Sequence, residues 1–267
     1  MRHELSNQQW AVLEPLLPQQ KPGPGRKRLD NRQVLNGILY VLKTGCAWAD
    51  VPRQYGSPTT CWRRLKTWSA DGTWERIWRT LLSQLEADQK IDWRRAFLDG
   101  TFVPALKGGT RIGKGVRGKG SKVMAVVDGQ GLPLGLYLDQ AAPHEIRFAE
   151  ATLATIRVPQ RRGRPRTRPQ ELVADKAYDS AAFRHALRQR GIKPTIPTYT
   201  RRARKHPKRG RPLRVGAGYA HRWKVERCFA WMDNYRRLIV RYDRTFTHYA
   251  AFCYLAFTLW CIKLILK

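Results

Sequence analysis

AFLDGTFV, residues 96–103, is where the sequence changes character. The run is apolar, too short for a helix, and interrupted by a carboxylate at Asp99, so it predicts a strand with an acid inside it. A second run of this kind, LVAD, ends at Asp175 beside Lys176. Between them, VMAVVDGQGLPLGLYL (123–138) reads as two strands joined by a turn through Asp128, Gly129, Gln130 and Gly131. Asp128 is the rival acid of this region, but its DGQG setting is that of a hairpin turn. Helical patterns are predicted over 144–156 and 180–190, the second capped by Asp179, and IKPTIP predicts another short strand. Two long helices, 219–237 and 246–264, close the chain. Strands alternating with helices make this part α/β.

Upstream, the period is helical throughout. Leu5, Trp10, Leu13, Leu16 and Leu17 recur at helical spacing behind Ser6, a capping residue. QVLNGILYVLKTG (33–45) is a second helix closing on Gly45. Ser57 and Pro58 suit the start of a third, in which Cys61, Leu65 and Trp68 form the apolar stripe. Its other faces carry Thr59, Thr60, Arg63, Arg64 and Lys66. A fourth helix follows Gly72. Helix, short turn and second helix with exposed Thr and Arg make a helix-turn-helix-like pattern, whose polar face suits a DNA groove. A small structural bundle would read the same way.

The charge balance narrows the partners. The 267 residues hold 51 Lys and Arg against 20 Asp and Glu, a net charge of +31. That field suits a polyanion, nucleic acid first, and exceeds what solubility or a small anionic substrate requires. Residues 107–122 and 157–168 hold six Lys or Arg each, and 201–214 hold eight, all in Gly- or Pro-rich settings read as basic loops. Such loops beside candidate carboxylates suggest a channel for a phosphate backbone. Five cysteines, odd in number and without CxxC spacing, argue against a disulfide framework or a zinc-cysteine site and for reduced, buried thiols in a cytoplasmic protein. The opening MRHELSNQQW carries no apolar signal segment. AAFCYLAFTLWCIKLIL (250–266) is membrane-like but contains Lys263, and reads as a core or dimer-forming helix.

In so basic a chain, placed acids are informative. Asp99 in its apolar strand needs a partner or a metal, unless it is a turn residue before Gly100. Asp175 is a second candidate, unless it only caps a strand end. Glu226 lies in GYAHRWKVERCFAWMDNYRRL, where Tyr219, Arg222, Glu226 and Asp233 fall within about 60° of one another on a helix. A plain Arg222–Glu226 ion pair would explain the same spacing. Asp99, Asp175 and Glu226 together could hold two divalent cations, Mg²⁺ or Mn²⁺, the arrangement suited to phosphodiester cleavage. The six histidines show no zinc spacing, and there is no P-loop.

These segments resemble a known family, the bacterial insertion-sequence transposases with an acid triad on an RNase H-like core, of the insertion-sequence-five group. The resemblance covers nearly the whole chain. It is carried by LSNQQWAVLEPLLP, by the segment from GRKRLDNRQ to DGTWERI, by FLDGTFV and VADKAYDS, and by Tyr219-x2-Arg222-x3-Glu226. It implies a helical DNA-binding domain over 1–90 and an RNase H-like mixed-sheet catalytic domain over 91–267. The 51 residues from Asp175 to Glu226 leave no room for a large inserted β domain. It also implies Asp99, Asp175 and Glu226 as catalytic, metal-holding residues, with two Mg²⁺ or Mn²⁺ ions. The activity implied is cutting at the terminal inverted repeats of a mobile element and joining its 3′ ends to target DNA.

The partners implied are double-stranded DNA and, on DNA, a second copy of the chain as homodimer or higher; no membrane is implied. The location implied is the bacterial cytoplasm, on the nucleoid when DNA-bound. The DNA-facing candidates are Thr59, Thr60, Arg63 and Arg64 on the third helix, and Lys119, Lys122, Lys176, Arg201, Arg202 and Arg204 in or beside the basic loops. Tyr219 and Arg222 would position DNA or the metal site. The family often places a basic residue seven positions after the glutamate; this chain has Asp233 there, with Arg237 one turn on as its expected substitute. Gly100 and Ala177 stand at variable positions, and Gly100 is expected to loosen the strand after Asp99. Two other readings stay open: an inactive transposase-derived DNA-binding protein and a metal-dependent nuclease.

Overall fold

The computed structural model describes residues 4–20, 28–198 and 216–267. Its first part is helical: α1 (Asn7–Leu13), α2 (Asn31–Thr44), α3 (Pro58–Ala70) and α4 (Thr73–Ala87). The caps follow local chemistry. The Ser6 hydroxyl accepts from the Gln9 N–H at 3.2 Å, and the Gln9 side chain accepts from the Ser6 N–H at 3.0 Å. Asp30 accepts from the Gln33 N–H, and Gly45 ends α2 in the left-handed conformation at φ 71°. Pro58 starts α3 as expected, although the Ser57 side chain makes no capping bond.

The sheet has six strands: β1 (Ala96–Pro104), β2 (Gly113–Gly115), β3 (Gly118–Asp128), β4 (Pro133–Gln140), β5 (Glu171–Ala174) and β6 (Lys193–Thr195). β1 is central, antiparallel to β3 and parallel to β5, which is parallel to β6. β2 and β4 both pair with the far edge of β3. The helices are α5 (Ile146–Ala154), α6 (Ala181–Gln189), α7 (Trp223–Met232), the short α8 (Arg236–Ile239) and α9 (Phe246–Ile265). A helical N-terminal region followed by this mixed sheet is consistent with an RNase H-like fold.

Three expectations need correction. The segment 107–122 is not all loop: β2 and the start of β3 form a hairpin, with Gly118 at φ 101° after the turn. Gly120 lies so close to the Val103 carbonyl that a Cβ would be 2.3 Å from it, so these glycines admit a neighbouring backbone and disguise a strand. The long helix over 219–237 is broken into a 3-10 turn (Ala217–His221), α7 and α8. Asn234 bonds back to the Ala230 and Trp231 carbonyls, the acceptors that a continuing helix would need. Asp179 does not cap α6; its carboxylate pairs with Arg184 at 2.8 Å. As expected of a core helix, α9 is mostly buried, although it is long and apolar enough to cross a membrane by length and composition. It lies against α4 and α3, with the Trp78 ring 5.4 Å from the rings of both Tyr254 and Phe257, so the C-terminal helix completes the N-terminal helical layer.

Candidate active site

The parallel pairing of β1 and β5 does what sequence distance hides. Their register runs Ala96 to Leu172, Phe97 to Val173 and Leu98 to Ala174. One step further along each strand stand Asp99 and Asp175. Both are oriented by the residue that follows: the Gly100 N–H donates to Asp99 Oδ1 at 2.9 Å, and the Lys176 N–H donates to Asp175 Oδ1 at 2.6 Å.

α7 brings the third acid. It packs against β1 and β3 and is pinned to the β3–β4 turn by two cations. Lys224 donates to the Gly129 carbonyl, and Arg227 donates to that of Gln130 at 2.7 Å. Asp128 builds this turn as expected, its buried carboxylate accepting from the N–H groups of Asp92, Gln130 and Leu132 at 2.7–2.9 Å. Burial pushes Asp128 up to about 6, against the pull of those bonds. The turn that Asp128 builds therefore anchors the helix that carries Glu226.

The meeting point is Arg222. It donates Nη1 to Asp99 Oδ2 at 2.7 Å and Nη2 to Glu226 Oε1. Tyr219 donates its hydroxyl to Asp175 Oδ1 at 3.3 Å. Asp99 and Glu226 are thus joined through Arg222, and Asp175 is bonded to Tyr219 of the same segment. The Arg222–Glu226 ion pair exists as well, within a larger group. Burial opposes the Arg222 charge, but Asp99, Glu226 and Asp175 outweigh it and raise its pKa. Asp99 is pushed up to about 6, first by burial; the Gly100 N–H and Arg222 pull it down, and the nearby Glu145 pushes it further up. Among the described residues no three His, Cys, Asp or Glu side chains converge closely enough to hold a metal ion. The positive charge these acids share is a guanidinium.

The sequence reading did not single out Glu145 or Tyr178. Tyr178 is fully buried after β5, and its hydroxyl donates to Glu145 Oε2 at 3.2 Å. Burial and then the charges of Glu145, Asp99 and Asp175 raise its pKa. Neither residue lies in a periodic or spaced pattern, so only the folded arrangement makes them visible.

The DNA-facing candidates separate into groups. On α3, Thr59 and Arg63 are exposed, while Thr60 and Arg64 are half-buried. Arg28, Thr60, Arg63, Arg64, Trp68 and Asp71 line an open groove of about 630 Å³. Arg64 stacks 5.2 Å over Trp68 and donates to Asn31; burial and then the neighbouring Arg28 lower its pKa. Lys119 and Lys176 are exposed. Lys122 instead donates to the Pro143 carbonyl at 2.6 Å. Arg237 is not the exposed substitute expected for Asp233: it is 5% exposed, pairs with Asp243 at 3.1 Å and donates to the Cys46 carbonyl. The break after α7 turns it inward. Arg201, Arg202 and Arg204 lie outside the described residues.

Residues 94–262 match the profile of the family described as "Transposase DDE domain", and residues 5–78 match "Putative transposase of IS4/5 family". An "Insertion element IS402 uncharacterized 16.2 kDa protein" of Burkholderia cepacia is 43% identical over 116 residues, 41% of this chain and 79% of that protein. A "Putative transposase for insertion sequence element IS402" from the same organism is 37% identical over 145 residues, 53% of this chain. The matched region spans 63% of that second relative's length. The family match over most of the chain takes in both strand acids and the Tyr219-Arg222-Glu226 helix segment. On that ground the chain belongs to the DDE transposase-domain family, as an IS4/5-type transposase-like protein related to those of IS402.

Proposed function

We propose that this chain cuts DNA at the ends of an insertion sequence and joins the 3′ ends to target DNA, with Asp99, Asp175 and Glu226 as its catalytic acids. The observation that supports the reading is the linking of these three residues, from β1, the end of β5 and α7, through Arg222 and Tyr219. The donor set suits Mg²⁺ or Mn²⁺: carboxylate oxygens, aligned by backbone N–H groups and already grouped about a positive charge. Two bound divalent cations would supply activation of the attacking oxygen and stabilisation of the leaving oxygen in an in-line displacement.

The protein's own groups set the stage. Gly100 and Lys176 N–H groups fix the rotation of the two aspartates. Tyr219 holds Asp175 from the side of α7. Arg222 compensates Asp99 and Glu226 in the chain as folded, and a guanidinium so placed can turn to a phosphate once those acids have another cation. Lys119 and Lys176 are open to phosphate contacts, and Arg201, Arg202 and Arg204 add charge nearby in sequence. We assign DNA-end recognition to residues 1–90, through Thr59, Thr60, Arg63 and Arg64, and catalysis to residues 91–267. Action on paired ends favours a homodimer or higher on DNA, working in the cytoplasm at the nucleoid.

The test is incubation of the full chain with Mg²⁺ or Mn²⁺ and duplexes carrying the inverted repeats that flank its gene. Nicks leaving 3′-hydroxyls at the repeat ends, and joined products, are expected. Binding to the ends without either reaction would make the chain a DNA-binding protein, and cutting without regard to the ends would make it a nuclease.

A further inference from the structure

We propose that Glu145 is a fourth acidic residue of this site and, resting on the reading of the site as a divalent-metal centre, that it holds metal together with Asp99. Glu145 immediately precedes α5, which packs on β3 and β4. The loop before it is tied to the sheet by Lys122, whose Nζ donates to the Pro143 carbonyl at 2.6 Å. The carboxylate is thereby delivered to the strand that carries Asp99. A Cβ on Gly100 would stand 3.1 Å from Glu145 Cδ and 2.6 Å from Met124 Sδ. Any larger residue at position 100 would push against both. The glycine expected to loosen this strand therefore leaves room beside Asp99 for the Glu145 and Met124 side chains.

Charge arithmetic says why such closeness is not explained by folding alone. The chain has 51 Lys and Arg for 20 acids, so cationic partners abound. Yet Glu145 makes no ion pair among the described residues, and its bonded partner is the neutral hydroxyl of Tyr178 at 3.2 Å. Arg222, the cation beside Asp99, is already shared with Glu226. Glu145, Asp99 and Asp175 all act electrostatically on the one buried phenol of Tyr178. Glu145, beside Gly100, acts on Asp99 as a like charge, and two such carboxylates repel one another unless a cation joins them. Divalent metal bound by carboxylate oxygens meets that need, and the Tyr178 hydroxyl, by holding one Glu145 oxygen, orients the acid as an outer hydrogen-bond partner does.

The alternative is that Glu145 serves only as an acceptor for Tyr178. Glu145→Gln separates the two, because the amide oxygen still accepts that hydrogen bond while the charge is lost. Mn²⁺ is titrated into the full chain without DNA, and free Mn²⁺ is followed by its electron paramagnetic resonance signal. Wild type, Asp99→Asn, Glu145→Gln and Glu145→Asp are compared, with circular dichroism as the control for folding. Glu145→Gln should weaken Mn²⁺ binding by about tenfold or more, the scale seen when a partner of a metal site is removed. Glu145→Asp, which keeps the charge but shortens its reach, should fall between wild type and Glu145→Gln. If Asp99→Asn loses Mn²⁺ while Glu145→Gln binds it as wild type does, Glu145 is structural and the proposal fails. If Asp99→Asn itself binds like wild type, or wild type takes up no Mn²⁺, the metal reading of the site fails and this proposal falls with it.

Discussion

In the helical region, Arg28, Arg63 and Arg64 face one open groove in which Asp71 is the acid. In the sheet region, Asp99, Asp175 and Glu226 act on one guanidinium, that of Arg222, and Glu145 lies beside Asp99. Each is a concentration of like charge, which opposes folding unless compensated. Their construction differs. The arginines are long side chains, two on α3 and one in the loop before α2, able to follow a phosphate backbone whose position varies. The acids are set within β1, just past the end of β5 and at the starts of two helices, and are oriented by backbone N–H groups and tyrosine hydroxyls. Affinity for DNA tolerates slack, whereas positioning reacting atoms does not.

The contrast breaks first, if it is to break, at Asp99. Asp99→Asn should lower strand cleavage and joining by about a thousandfold or more, the loss of several kcal/mol of metal-centred stabilisation. Binding to end DNA should stay near wild type. Parallel loss of binding and cleavage would mean that the two clusters are not separate in function.

The turn at Asp128 tests whether the precision of the sheet site is inherited from a distance. Asp128→Ala strands three buried or partly buried N–H groups and should cost about 3 kcal/mol of stability in a denaturant titration. Because Lys224 and Arg227 anchor α7 to this turn, cleavage by the still-folded fraction should fall as well. Unchanged activity would show that α7 holds its place without the turn.

Gly100→Ala should cost about 1–3 kcal/mol of stability through overpacking against Met124 and Glu145. It should reduce cleavage by about tenfold to a hundredfold, as small misplacements of reacting groups do. A variant with full activity would remove the argument that this glycine admits Glu145.

The smallest effect is expected at the groove. Arg63→Gln should weaken duplex binding several-fold and flatten its log–log salt dependence by about 0.9, the value for one phosphate contact on duplex DNA. At saturating protein the cleavage rate should match wild type. A salt slope equal to that of wild type would place Arg63 outside the DNA contacts. The full chain is the right material, since α9 covers α4 and α3 and a fragment of the first ninety residues would expose that apolar face.

What the sequence determined by itself was local or additive. Ser6 and Gly45 marked helix ends, and DGQG marked a hairpin, because each acts through its own backbone and near neighbours. The +31 charge pointed to a polyanion without any fold. The motif segments pointed to the family, and they held the two strand acids and Glu226. The tertiary structure decided everything that depends on which distant groups meet. Parallel register set Asp99 beside Asp175, a junction between residues separated by 76 positions that no period encodes. The bend after α7, made by Asn234 folding back on its own helix, buried Arg237 against Asp243 and took it from the DNA-facing set. α9, apolar on all sides, found its place between the two halves only by packing. Glu145 became visible through a missing Cβ on the neighbouring strand and the hydroxyl of a buried tyrosine. Such junctions are set by close packing and by the compensation of charge across long loops, terms that act only once the chain has closed on itself.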